Sequence, residues 1–280
     1  MIGVDERRLA LPRQSRPSGK PGAVRRLVRL ATPPLAVLGA VIAGWLFVSY
    51  GLLSPSRRFL LPPPQDVVAN GFFDPDNISE ILSALAVTAN VAFVGLAVAA
   101  ILGIAIAVAM SQARWVERSL YPWAVFLQTI PILAIVPLIG FWFSFGFFSR
   151  TIVCVMIALF PIVTNTLFGL KSADPSHHDL FTLHRATRWE RLVKLQLPGA
   201  LPAMFAGLRI SAGLSVVGAI VGDFFFRQGE PGIGRLIDNY TSRLESEPLF
   251  AAIALSSALG LGVFWAFGFV GHLATRAWRE

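Results

Sequence analysis

Residues 171–198 read KSADPSHHDLFTLHRATRWERLVKLQLP. They stand between two apolar runs, TIVCVMIALFPIVTNTLFGL at 151–170 and GALPAMFAGLRISAGLSVVGAIVGDFFF at 199–226. The first run has no Asp, Glu, Lys or Arg, and the second has only Arg209 and Asp223. At about 1.5 Å per helical residue, each reaches across a hydrocarbon core about 30 Å thick. The polar stretch between them is far longer than a turn between two spans requires, so the unit is a pair of membrane helices joined by a structured connection.

The rest of the chain repeats the apolar pattern. Runs free of charged residues also cover 30–56, 81–113, 119–149 and 248–275, which predicts an all-α integral membrane protein of six transmembrane helices. Only 14% of the 280 residues are charged, against about 25% in soluble domains. A soluble or disordered protein is excluded, and spans of about 20 residues each leave no room for a separate catalytic domain. The expected organisation is a basic tail over 1–29, a first transmembrane helix over 30–56, an outer loop over 57–80, and a five-helix core over 81–275 that contains the 171–198 connection. Five prolines between 54 and 80 make the outer loop extended and turn-rich.

The net charge of +8 speaks to topology, not to nucleic acid. With both termini inside, 17 Lys and Arg fall in cytoplasmic segments and six in outer ones, Arg150 among the latter. That asymmetry places both termini of a multi-pass membrane protein in the cytoplasm, with the basic tail near lipid headgroups.

Catalytic chemistry is not apparent. No glycine-rich loop ends in Gly-Lys-Ser or Gly-Lys-Thr, so the chain has no phosphate cradle of the ATPase type. Gly229-Glu230-Pro231-Gly232-Ile233-Gly234 imitates one, but it lies on the outer side and carries an acid where a phosphate would bind. It reads as a tight turn entering a short helix. His177, His178 and His184 do not share a helix face and read as a solvated loop, and the single cysteine, Cys154, has no partner for a disulfide or a thiolate metal site. Neither metal ligands nor catalytic residues are expected.

Within the spans, Arg209 and Asp223 are costly enough to hold a functional expectation. Arg209 either snorkels to the cytoplasmic interface or lines a polar path, and Asp223 either faces a substrate entrance or caps its helix. Pro122, Pro131 and Pro137 in the third span and Pro161 in the fourth each remove a backbone hydrogen bond and predict kinks. Pro131, Pro137, Asn165, Arg209 and Asp223 are the candidate residues of a translocation path.

The polar connection contains two helix starts. Asp174-Pro175 is a cap followed by a first-turn proline, and Thr187 with Glu190 forms a capping box. In the second helix Trp189, Leu192, Val193 and Gln196 are expected on one face, with Arg188, Arg191 and Lys194 opposite. Leu180, Phe181 and Leu183 then form either a docking knob for a partner or the apolar side of a helix lying on the inner leaflet.

Asp174-Pro175, Asp179, Ala186-Thr187-Arg188-Trp189 and Leu197-Pro198 resemble the EAA loop of binding-protein-dependent ABC importer permeases. Further matches are Leu61-Pro62-Pro63-Pro64, Ile130-Pro131 with Pro137 and Trp142-Phe143, Phe160-Pro161-Ile162 with Asn165-Thr166 and Gly169-Leu170, and Gly207-Leu208-Arg209. In this order they are similar to the nitrate, sulfonate, taurine and pyrimidine-precursor branch over roughly residues 60–275. The chain departs from that pattern at Asp179-Leu180-Phe181, where Glu-Ala-Ala is usual, and at Arg185, where the family has a glycine suited to a left-handed turn.

The resemblance implies the type I ABC importer permease fold and a coupling site made of Asp174, Asp179, Leu180, Phe181, Arg185, Ala186, Thr187, Arg188 and Trp189. The implied partners are two copies of a cytoplasmic ABC ATPase, which bind the ATP and Mg that this chain does not, a periplasmic or lipid-anchored solute-binding protein, a second permease subunit taken to be a copy of this chain, and membrane lipids. The competing reading, a self-sufficient secondary transporter or channel, calls for more intramembrane carboxylates and paired broken spans than this sequence offers.

Overall fold

A computed structural model describes residues 23–276. Nine helices organise the described residues: α1 (Ala23–Phe47), α2 (Pro75–Gln112), α3 (Arg114–Thr129), α4 (Ile132–Phe143), α5 (Phe147–Lys171), α6 (Pro175–Leu183), α7 (Arg188–Phe225), α8 (Ile233–Arg243) and α9 (Ser246–Thr275). Most of the expected basic tail, 1–22, lies outside the described residues, and 23–29 already belong to α1. The outer loop is made of short helical turns, and α2 begins at Pro75, six residues before the expected start. Asp74 caps it by accepting from the amides of Asp76 and Asn77 at 3.0 and 3.1 Å.

Five helices are long and apolar enough to cross a membrane, and α3 with α4 makes a sixth only as a broken span bent by 100°. The third span was expected to be one kinked helix. Instead, Ile130 and Pro131 are both extended, with ψ of 126° and 99°. Pro131 has no N–H to continue the ladder, and its ring drives the preceding residue out of helical geometry. Pro122 and Pro137 are absorbed inside α3 and α4.

The core is a triangle of α2, α5 and α7. Small residues allow α5 and α7 to pack backbone to backbone in antiparallel fashion. A side chain at Gly207 would come within 2.8 Å of the Pro161 carbonyl, and one at Gly218 within 2.8 Å of Cys154 Cα. Between them Ser211 Oγ donates to the Ala158 carbonyl at 2.6 Å. Cys154 is fully buried where the three helices meet, its Sγ 3.3 Å from the Ser215 carbonyl. By contrast α1 exposes Leu35, Val37, Leu38 and Val41, and is tied on chiefly by Trp45, which donates to the Pro62 carbonyl and packs on Phe250.

The α7 helix is continuous from the polar connection into the core. Its turn at Leu192–Gln196 is wide, with the Leu197 amide reaching the Leu192 carbonyl. This widening lies immediately before Pro198, whose ring cannot donate to the preceding turn.

Candidate functional site: a coupling face and a buried charge cluster

The connection between α5 and α7 folds by local hydrogen bonds. Asp174 caps α6 by accepting from the Ser176 amide at 2.8 Å and its hydroxyl at 2.7 Å. The Ser176 hydroxyl and then its amide hold the Asp174 carboxyl below the usual range. At the other end the Ala186 amide reaches the Phe181 carbonyl at 2.9 Å and the Arg185 amide reaches Thr182 at 3.0 Å. These two bonds are a Schellman closure, and it requires a left-handed residue at the position of Arg185. Arg185 adopts φ of 53°. The left-handed turn is therefore made although an arginine stands there.

Thr187 and Glu190 complete the capping box in both directions, Glu190 Oε2 accepting from the Thr187 amide at 2.9 Å and Thr187 Oγ1 from the Glu190 amide at 3.2 Å. The Thr187 backbone, then its hydroxyl, then Lys194 lower the pKa of Glu190. Arg191 Nη2 donates to Thr182 Oγ1 at 2.9 Å and ties the two helices together.

Leu180, Phe181, His184, Ala186, Glu190 and Lys194 line a cleft of about 340 Å³ between α6 and the start of α7. Leu183 and Trp189 stand at 81% and 70% exposure, so apolar surface faces outward on both helices. Asp179 and Arg188 are exposed. The expected apolar face of the second helix is divided: Leu192 is buried, whereas Trp189 and Val193 are exposed. The first turn projects beyond the body of the protein, and the next one already packs on it.

The candidate path residues do not form one group. Leu127, Gln128, Ile130, Met156, Phe160 and Leu214 line a groove of about 310 Å³ at the bend between α3 and α4. Pro131 is exposed at that bend and Pro137 is half-buried inside α4. Asn165 Nδ2 donates to the Pro161 carbonyl at 2.8 Å, and both pack against Gly207. Arg209 faces elsewhere, with its guanidinium carbon 4.0 Å above the Phe264 ring of α9.

Asp223 is fully buried and forms an ion pair with Arg150 at 3.0 Å. Arg150 was counted with the outer loop, but it lies in the first turn of α5 at 2% exposure. Its Nη1 also donates to the Glu230 carbonyl at 3.0 Å, and its Nη2 to those of Phe226 and Gln228 at 3.0 and 2.8 Å. Thr88 of α2 donates to Asp223 and accepts from the Ile233 amide at 2.8 Å. Gly232 and Gly234 let the start of α8 close over the carboxylate, and a methyl group at Gly232 would overlap Asp223 Oδ2. The glycine-rich turn is thus an anion cradle that the chain's own Asp223 fills. A signal for Arg150 did exist in the sequence. A lone intramembrane carboxylate needs a cation, and Arg150 starts the neighbouring antiparallel span.

A polytopic helical bundle with a broken span, a core of closely packed helices and a capped helical pair projecting between two spans defines a membrane permease, and the comparisons agree. The chain belongs to the family of binding-protein-dependent transport system inner membrane components, whose model matches residues 99–279. It is 34% identical over 207 residues to the formylaminopyrimidine transport permease protein ThiX of Halalkalibacterium halodurans, covering 73% of this chain and 80% of that protein. It is 29% identical to the riboflavin transport system permease protein RibX of Chloroflexus aurantiacus, with 90% and 94% covered. It is also 29% identical to the nitrate import permease protein NrtB of Synechocystis, with 79% and 82% covered. Among solved structures, a chain from a crystal structure of an amino acid ABC transporter with histidines superposes with a TM-score of 0.54 at 15% identity, over 71% of this chain and 94% of that one, and shares the fold. The protein is a multi-pass ABC importer permease that works with an ATPase and a solute-binding protein.

Proposed function

We propose that the α6–α7 face receives a cytoplasmic ABC ATPase and that this chain, with a second copy of itself, encloses the path for a small solute of the heterocyclic vitamin or pyrimidine-precursor, sulfonate or nitrate class. Two ATPase copies bind ATP and Mg and drive the cycle, and a periplasmic or lipid-anchored binding protein delivers the solute. Both termini are cytoplasmic in this arrangement. The solutes for which the relatives are named support the substrate class.

The continuity of α7 carries the reading. Its first turn is hydrogen-bonded to α6, and its later turns form the core contact with α5. Displacing α6 by closure of an ATPase therefore moves a rigid lever that ends in the core, and rocking of α7 opens or closes the groove at Gln128, Ile130, Phe160 and Leu214. Pro131 supplies the bend that makes room for that groove, Pro137 belongs to the same broken span, and Asn165 takes up the Pro161 carbonyl behind it. Arg209 is assigned to another surface and Asp223 to the buried ion pair with Arg150.

Solute uptake tests this directly. Leu180→Asp and Phe181→Asp each put a charge in an apolar contact, and interface anchors of this type are worth about 2 kcal/mol or more, so uptake falls at least ~30-fold while membrane insertion is unchanged. Normal uptake by either variant would sink the coupling assignment. The tagged chain is also expected to bring a Walker-type ATPase with it in mild detergent. Purification of the chain alone, with solute movement in ATP-free vesicles, would replace the importer mechanism.

A further inference from the structure

Arg209 lies at membrane depth in a groove between α7 and α9 with no carboxylate partner among the described residues. The groove measures about 270 Å³, and Phe205, Arg209, Gly268, Gly271 and His272 line it along with Thr275 at its end. Its shape is built in: Phe205 lies over Gly271, and Arg209 lies across Gly268 so closely that a methyl group there would sit 3.0 Å from Nε. One face of the guanidinium is covered by Phe264. The residue as a whole is exposed, as is His272.

A bare cation here needs an anion. An uncompensated arginine inside a bilayer is costly, and stacking on an aromatic ring offsets only part of that cost. From Gly268 to Thr275 the groove runs about 10 Å along α9, which is the depth of the boundary between headgroups and acyl chains. It opens on the side of the membrane where α7 begins and the coupling face lies. Arg276 follows at its mouth and is also exposed.

The geometry points to a binding site for an anionic phospholipid of that leaflet, with the phosphodiester on Arg209, His272 at the rim, and an acyl chain along Phe205 and Phe267. A guanidinium matches phosphate oxygens in bidentate fashion, and basic pockets between helices on this side are suited to such headgroups.

The full-length protein, with whatever co-purifies, is delipidated in mild detergent and titrated in native mass spectrometry with phosphatidylglycerol, with phosphatidylethanolamine and separately with inorganic phosphate. Phosphatidylglycerol is expected to bind in preference to phosphatidylethanolamine. Arg209→Gln weakens it roughly tenfold, Arg209→Lys weakens it less, and Arg57→Gln on the opposite side leaves it unchanged. Should Arg209→Gln fail to fold, His272→Ala at the exposed rim is read instead, with roughly a threefold loss expected. Equal binding by Arg209→Gln, or equal affinity for both lipids, overturns the proposal. Saturation by inorganic phosphate that displaces the lipid makes it a soluble-phosphate site and overturns the lipid assignment. Loss of self-association with lipid binding unchanged means that a second copy covers the groove, and overturns it equally.

Discussion

The two ends of the α5–α7 pair use polar residues in opposite ways. At the end holding α8, Arg150, Asp223 and Thr88 are buried against one another, and α2, α5, α7 and α8 all contribute. At the other end, α6 has no buried residue, and its hydrogen bonds run to its own caps and to the first turns of α7. Charges buried in one arrangement hold helices in fixed relation. Local caps instead keep a small unit in shape without fastening it to the body, so that it moves as a piece when pushed. In the proposed arrangement the protein is locked at the end that would meet the solute-delivering side and presented at the end that would meet the motor.

The largest effect should come from breaking the lock. Arg150→Ala leaves the Asp223 carboxyl buried without its cation, and removing one member of a buried pair costs about 3–5 kcal/mol. Thermal unfolding in detergent is expected to drop accordingly, while the double variant Arg150→Met with Asp223→Leu recovers much of the loss. A single variant that melts like the parent would show that the two ends are not different in kind. Gly232→Ala attacks the same cluster from the backbone side. Overpacking of a filled site costs about 1–3 kcal/mol, so its melting temperature should lie between those of Arg150→Ala and the parent.

The same contrast explains what the sequence disclosed. The helical pair proposed for coupling was legible in its shape because caps are local: Asp174-Pro175 and Thr187 with Glu190 identify both helix starts within four residues, and the structure forms both. The left-handed position at Arg185 was legible through the family's glycine. Five single spans followed from apolar run length alone. The third span did not, because a proline announces a lost hydrogen bond but not whether neighbours will hold the helix straight, and the 100° bend depends on how α3 and α4 meet α5. The charge cluster was hidden for a similar reason. Arg150 is adjacent to a short connection and looks like an outer-loop residue, and only the antiparallel packing of α5 on α7 brings it to Asp223.

On the presented end, effects are smaller and local. Thr187→Ala removes the cap and should cost about 1 kcal/mol of local stability. Hydrogen exchange at the amides of Thr187 and Glu190 is expected to quicken, with the global melting temperature unmoved. A fall in the global melting temperature would mean that the face is fastened to the core after all. The pH dependence has a fixed sign. The folded value of Glu190 is lowered from 4.5, so the cap's contribution is fully present above that value and is lost as the pH falls through the lower folded value. In Thr187→Ala this acid-side step should shrink, since the Thr187 hydroxyl is one of its causes.

The smallest effect is expected where the chain departs from its family. Arg185 sits at φ of 53° in the Schellman closure, and a left-handed conformation costs a residue with a Cβ about 1–2 kcal/mol. Glycine removes that strain but gives back roughly 0.5–1 kcal/mol through its greater freedom in the unfolded chain. Arg185→Gly should therefore stabilise the closure by about 0–1.5 kcal/mol, seen as slower exchange of the amides of residues 185 and 186. The sign matters more than the size. Slower exchange means that arginine is tolerated in a turn whose shape the surrounding caps impose, so at this position the face proposed to receive the ATPase keeps the left-handed turn and adds one exposed positive charge. Faster exchange would mean that the guanidinium itself holds the turn, and the presented end would then depend on a side-chain contact as the locked end does.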